Sequence, residues 1–387
     1  MALPLGYNLR NLLVRRTATL MSMGGIALVV AVFVVVSALA EGFRSAVSET
    51  GSPENVIVMR DGATSEIESA MNREVVDLLR SLPEVGRDAA GRPLASADMV
   101  LVVNHPRLGG EGSTNVTVRG VSGAWREVRP SLAIAAGRWF TPGSEEVVVG
   151  EALSRRVADC QIGGTLKQSG RAWKVVGTFT AEGTAHESEV WGDADVMLDA
   201  FQREVYQSVT LRPSGGESGL VAAFERELRL KSLQAEREDR YYAKQSEDVT
   251  LFLRTLGLVV TVVMSIGAIF GAMNTMYASV AHRSREIGTL LAIGFGPSAI
   301  FLAFLVESLL LAAAGALVGC LLAMPVDGLA TGTSNWATFS EMAFELRVTP
   351  AVLRGGLLFG LVMGVVGGAL PALRAARSTI VVVLRRT

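Results

Sequence analysis

The chain has 387 residues, 50% hydrophobic and 19% charged, with a mean hydropathy of +0.38. Soluble domains are about a quarter charged, and here the deficit is concentrated: residues 17–40, 255–281, 308–326 and 355–373 contain no Asp, Glu, Lys or Arg. Apolar runs of about 20 residues cross a bilayer as helices; this excludes a soluble enzyme and a disordered chain, while the charge held in residues 41–254 excludes a purely helical transporter.

The net charge of -1 hides an asymmetry. Residues 41–254 carry 32 acidic and 25 basic side chains. The first 20 residues carry Arg10, Arg15 and Arg16 and no acid, and the last 14 carry Arg374, Arg377, Arg385 and Arg386 and no acid. A nucleic-acid surface needs a basic face on a folded domain. These arginines border apolar runs instead, so the bilayer is the expected partner and nucleic acid is not.

In chain order, residues 1–16 read as an amphipathic elbow helix on the cytoplasmic surface, with Leu5, Leu9, Leu12 and Leu13 near one face. Residues 17–40 form transmembrane helix 1. Ala38-Leu39-Ala40-Glu41 resembles a small-residue cleavage site, but the uncharged stretch exceeds a usual signal-peptide core, so the run reads as an uncleaved anchor. Basic residues beside spans stay cytoplasmic, which places residues 41–250 outside.

That outer segment alternates strand-like and helical patterns and predicts an α+β fold. Strands are expected at 55–59, 99–103, 114–121, 145–149, 165–168, 173–180 and 205–211. A hairpin turn is expected at 167–171 and a helix at 65–81, ended by Pro83. Residues 217–250 are charged and Pro-free, with leucines near helical period, and predict a stalk helix leading into the membrane. Two uses fit such a helix: carrying motion between the outer domain and the membrane, or covering a solvated surface.

Transmembrane helix 2 is expected at 251–279, a cytoplasmic helix and turn at 280–297, and transmembrane helix 3 at 298–324. An extracytoplasmic loop follows at 325–354, then transmembrane helix 4 at 355–373 and a cytoplasmic tail at 374–387. Every short basic cluster then falls on the cytoplasmic side, with both termini inside. The fold class is a four-helix membrane protein with a large α+β extracytoplasmic domain inserted between helices 1 and 2.

Helix 4 repeats glycine every fourth residue, at Gly356, Gly360, Gly364 and Gly368, a smooth face on which another helix backbone packs closely. Two partners fit: another span of this chain, or a second protomer. Shorter pairs occur at Gly267 and Gly271 and at Gly315 and Gly319. Glu307 lies inside helix 3. An intramembrane carboxylate marks a proton or substrate relay, a structural hydrogen bond, or a hydrated border position. The structural and hydrated readings are preferred over a relay, because no second ionisable residue lies deep in a span.

Catalytic chemistry is missing. There is no Gly-Lys dipeptide, hence no Walker A loop, and no HExxH, GxSxG or paired-cysteine site. Cys160 and Cys320 suggest no disulfide framework. His186, in AEGTAHESE, reads as part of a solvated loop rather than a metal site. No catalytic residue, metal or cofactor is expected.

The most specific motif joins helices 2 and 3: His282-Arg283-Ser284-Arg285-Glu286-Ile287-Gly288-Thr289-Leu290-Leu291-Ala292-Ile293-Gly294, closed by Phe295-Gly296-Pro297. Its polar start and apolar continuation describe a short surface helix that docks on a cytoplasmic partner. HRSREIGTLLAIG followed by FLVESLLLAAAGALVG resembles the signature of the MacB/FtsX-like ABC transporter permeases, and Glu307 matches that family's glutamate. The ending GGALPALRAAR, the start YNLRNLLVRRTATLMSMGGIAL and the outer segments VRGV, AAGRWF, EEVVVGEALSRRV and WKVVGTF extend the resemblance along nearly the whole chain. His282 stands where the family has Glu, and TIVVVLR lacks a common Pro.

The resemblance implies a non-catalytic permease subunit of the bacterial cytoplasmic (inner) membrane. It would work as a homo- or heterodimer, with ATP bound by a separate cytoplasmic ATPase, since only 16 residues precede helix 1. Arg283, Arg285, Glu286, Ile287, Gly288, Leu291 and Gly294 would couple to that ATPase. Three roles fit: an exporter acting through a periplasmic adaptor and outer-membrane channel, a Lol-type lipoprotein-releasing permease, or an FtsX-like regulator of wall hydrolases. The third ranks last, because such chains have a smaller outer domain.

Overall fold

A computed structural model describes residues 16–110, 112–334 and 340–377. The elbow helix expected at 1–16, save Arg16, and residues 378–387 of the expected tail lie outside the described residues. The chain divides into two compact units: a helical unit from the segments up to Glu41, Phe252–Leu329 and from Leu346 onward, and an α+β unit from Gly42–Leu251 and Ala330–Glu345.

Four helices are long and apolar enough to cross a membrane: Thr19–Ser48, Glu238–His282, Pro297–Val326 and Pro350–Ala376. Their ends overrun the charge-free stretches, because helix propagation continues through charged residues that remain hydrated. In the second case the helix begins at Glu238, thirteen residues before the expected span.

Within the helical unit, glycine sets the packing distance. A Cβ at Gly360 would fall 2.6 Å from the Ala316 methyl, and one at Gly356 2.7 Å from Val34 Cγ2. Gly364 and Gly368 lie as closely on Ala312 and Ser308, and the Ser308 hydroxyl donates to the Gly364 carbonyl at 2.7 Å. Across the same helix, Gly319 would place a Cβ 2.5 Å from the Ala27 carbonyl. The fourth helix is thus seated on the third, and the third on the first, within one chain. Each glycine costs about 1 kcal/mol of helix propensity; close backbone approach offsets this where lipid supplies no hydrophobic drive. Gly267 and Gly271 face open space instead.

The α+β unit is built on a mixed ten-stranded sheet. Its strands are β1 (Val56–Arg60), β3 (Ala95–Pro106), β4 (Ser113–Gly123), β5 (Ala133–Gly137), β6 (Glu146–Gly150), β7 (Thr165–Gln168), β8 (Arg171–Thr180), β9 (Glu189–Asp193), β11 (Ser208–Leu211) and β12 (Leu233–Arg237). The order is β12-β1-β11-β3-β4-β9-β6-β8-β5, with β7 paired to β8. Two short strands, β2 (Met71–Asn72) and β10 (Val205–Tyr206), pair separately, as do β13 (Ala330–Ser334) and β14 (Glu341–Glu345). The β7–β8 hairpin turns through Ser169 and Gly170, both at positive φ. One face of the unit buries Trp125, Phe140, Phe179 and Trp191 together.

Two expected elements change. The helix expected at 65–81 is confined to Arg73–Ser81, because Asn72 caps it by accepting from the Val75 amide at 3.0 Å. The expected stalk helix 217–250 is broken. A helix at Glu217–Arg226 gives way to a 3-10 turn at Leu228–Leu230 and then to β12, which pairs antiparallel with β1 from Val56↔Arg237 to Arg60↔Leu233. Five residues close ladder bonds on the edge of β1 there, and that pairing overrides the local helical period.

Candidate functional site

The motif between the second and third long helices folds as a nine-residue helix, Ser284–Ala292, bounded by two turns. Arg283 leaves the helical conformation at its start (φ -97°, ψ 12°). At its end Gly294 adopts φ +103°, which permits the Phe295 amide to reach the Leu290 carbonyl at 3.0 Å. This is a glycine-closed helix terminus. Pro297 then opens the next helix at its first position.

The helix has two unlike sides. Ile287 is 2% exposed and joins Met276, Val280, Ile300, Phe304, Leu311, Ala372 and Ala375 in one apolar cluster, with Gly288 also buried. Arg283 is 9% exposed and Glu307 5%. The Arg283 Nη1 donates to Glu307 Oε2 at 2.8 Å, its Nε lies 3.2 Å from Glu286 Oε2, and the guanidinium sits 5.0 Å from the Phe304 ring centroid. Arg285, Glu286, Thr289 and Gly294 are exposed and Leu291 is half-buried.

The seven residues grouped from sequence therefore separate. Arg283, Ile287 and Gly288 turn inward and hold the turn to the spans, leaving Arg285, Glu286 and Gly294 on the open side. Glu307 also acquires a cation that a span-by-span search misses, because Arg283 comes from the connecting turn. A carboxylate inside an apolar run needs a counter-charge, and that requirement alone would have pointed to the nearest arginines in sequence.

The α+β unit holds a second buried charge cluster. Arg119, 2% exposed, spans Glu66 at 2.8 Å, Glu189 at 2.7 Å and Asp98 at 3.2 Å. Arg129 shares Asp98 at 2.5 Å and also donates to Thr210 at 2.9 Å. Burial by itself would raise the Glu66 and Glu189 carboxyls, but the Arg119 guanidinium outweighs it and holds both below the usual carboxylate range. Glu238, the first residue of the second long helix, accepts from the Ser52 amide at 3.0 Å and from Asn55 Nδ2 at 2.9 Å. Its other oxygen faces Arg129 Nε across 3.9 Å. The start of that helix is thus bound into the buried network.

His186 is 3% exposed, packed edge-on against Trp191 with centroids 5.1 Å apart. The solvated loop expected around it is instead a 3-10 turn, Ala185–Ser188, closed over the aromatic cluster. Its flanking charges are not solvated: Glu187 accepts from the backbone amides of Ala181 and Gly183, and Glu189 is neutralised by Arg119. Among the described residues, no group of three or more His, Cys, Asp or Glu is placed to hold a metal.

Two family models match this arrangement. Residues 19–229 match the MacB-like periplasmic core domain and residues 258–380 the FtsX-like permease C-terminal region. The chain belongs to the FtsX-like ABC transporter permeases that carry a MacB-like periplasmic core domain, and it is a multi-pass membrane protein.

Its relatives include the uncharacterized ABC transporter permease YknZ of Bacillus subtilis, 25% identical over 69% of each chain. They also include the macrolide export ATP-binding/permease protein MacB of Chlorobium luteolum, 26% identical over 97% of this chain and 59% of that protein. The pyoverdine export ATP-binding/permease protein PvdT of Pseudomonas putida is 25% identical over 95% of this chain and 57% of its own length. The chain thus spans under three fifths of the MacB and PvdT relatives. The extracellular domain of YknZ from Gram-positive bacteria aligns with 47% of this chain at 16% identity, with a TM-score of 0.36, too low to carry an argument.

Proposed function

We propose that this chain is a non-catalytic permease subunit, in which the helix Ser284–Ala292 receives motion from a separate cytoplasmic ABC ATPase. ATP is bound by that partner, and no cofactor is held here. The permease works as a dimer in a bacterial inner membrane with both termini cytoplasmic. It drives the extracytoplasmic α+β unit to export a substrate taken from the outer side, with an adaptor and outer-membrane channel completing the path.

One observation carries this reading. The inner side of the short helix is fixed to the spans by Ile287 and the Arg283–Glu307 pair, while Arg285 and Glu286 remain exposed. A lever needs a fixed end and a readable end, and this helix has both. Adjacent opposite charges on the readable end specify a partner's register. The second long helix supports the reading further, since it runs unbroken from Glu238, held in the buried network, to His282, one residue before Arg283.

The test is the double reversal Arg285→Glu with Glu286→Arg, which preserves net charge. Insertion should be unchanged and the stability loss limited to about 1 kcal/mol, since the Glu286 contact to Arg283 is largely exposed, while co-purification of the cognate ATPase and the transport phenotype fall. Normal recruitment together with normal transport would reduce these residues to a topology signal and refute the proposal.

A further inference from the structure

The α+β unit contains a polar cleft of about 790 Å³, bounded by the ends of β3 and β4, the segment after the helix Glu151–Ser154, and the β13–β14 hairpin. Its size falls in the range of small-molecule sites. Among the described residues, three arginines line it, Arg107, Arg155 and Arg156, against one acid, Glu341. The described lining is therefore two charges positive, in a unit whose chain segment is acidic overall.

The arginines are held in a specific arrangement. Glu341, its side chain 15% exposed, takes Arg107 on one carboxylate oxygen and Arg156 on the other, the latter at 3.4 Å. The Thr114 hydroxyl donates to the oxygen that Arg107 uses. One carboxylate thus fixes two guanidiniums side by side. Gly332 lies beneath Arg156, and a Cβ there would collide with its Nη1. The absent side chain makes room for the guanidinium against the hairpin backbone.

Among the described residues, the guanidiniums of Arg107 and Arg156 each donate only to Glu341, and that of Arg155 only to Glu151. A guanidinium has five N–H donors in a planar fork. Most of the donors on this wall are left over, beside the hydroxyls of Thr333 and Ser334. Paired guanidiniums with spare forks bind carboxylate or phosphate groups bidentately, and the flanking hydroxyls match an oxygen-rich body.

We propose that this cleft is a binding site for small hydroxylated anions, a sugar phosphate or a polyhydroxy carboxylate. Arg107, Arg155 and Arg156 receive the acidic group, and Glu341 acts as a positioning residue that keeps two of them in register. The site stands apart from the coupling reading, since binding requires neither ATP nor an ATPase.

The full-length permease in lipid nanodiscs, titrated calorimetrically at fixed ionic strength, tests it. Fructose 1,6-bisphosphate and citrate are the anionic probes and distinguish phosphate from carboxylate recognition; fructose is the neutral control. Saturable binding of at least one anion and none of fructose is expected. Arg107→Gln with Arg155→Gln, both exposed positions, should weaken that binding at least tenfold. Arg171→Gln with Arg203→Gln removes the same charge elsewhere on the unit and should leave binding within twofold. No saturable binding of either anion up to about 10 mM, or an equal loss in the control pair, would overturn the proposal.

Discussion

Arg283 and Glu307 form a buried ion pair, 2.8 Å from Nη1 to Oε2, between the turn that opens the short helix Ser284–Ala292 and the interior of the third long helix. Neither charge is stable there alone. Removing one partner of such a pair costs about 3–5 kcal/mol, whereas replacing both by apolar groups is often neutral. Glu307→Leu and Arg283→Met should therefore each lower the thermal midpoint of the purified permease. The double variant Arg283→Met with Glu307→Leu should recover most of the loss. Additive losses in the double variant would show that the two residues act independently.

The glycine face gives a prediction with an internal control. Gly364→Leu forces a side chain into Ala312 and should abolish assembly of the helical unit, with overpacking costs above the usual 1–3 kcal/mol. Gly267→Ala and Gly271→Ala meet no neighbour within 4 Å. They should leave the midpoint unchanged or raise it, since alanine is the better helix former by about 1 kcal/mol. Expression and size-exclusion profiles of the three variants check this. Equal damage at Gly267 would mean that its face is covered by a second protomer.

The Arg119 network predicts the direction of the pH response in the α+β unit. Glu66 and Glu189 have folded pKa values below their unfolded ones. Their contribution is fully present above the unfolded value, about 4.3, and is lost as pH falls through the folded values. Amide exchange along β4, corrected for its intrinsic pH dependence, should show constant protection from pH 7 to 5 and a decline below about 4. Protection that instead rose on acidification would contradict the assigned charge states.

Orientation yields to labelling. Cysteines placed at Ser214, exposed on the α+β unit, and at Ser284, on the short helix, should differ toward an impermeant maleimide in intact cells. Ser214→Cys should label and Ser284→Cys should not, and labelling of both would break the four-span topology.

Much of this architecture is legible in the sequence, and the exceptions share a cause. The four apolar helices, the β7–β8 turn at Ser169-Gly170 and the continuous strands β3 and β4 follow from composition and period. β9 was hidden because Glu189 breaks the apolar pattern, and only the fold brings Arg119 to neutralise it. β12 was hidden because Leu233–Arg237 reads as helix until β1 offers an open edge. At the candidate site the motif is plain as a string, but its division into an inner side at Arg283, Ile287 and Gly288 and an open side at Arg285 and Glu286 depends on Glu307, 24 residues from Arg283. Long-range charge pairing is what local pattern does not encode.

The central claim is that the open side of the Ser284–Ala292 helix touches the ATPase while its inner side does not. A photo-crosslinking amino acid placed singly at Arg285, Glu286 and Ile287 reads this directly in membranes containing both proteins. Positions 285 and 286 should yield a covalent adduct with the ATPase, and position 287 should yield only adducts within the permease. Capture of the ATPase from position 287, or from none of the three, would contradict the account.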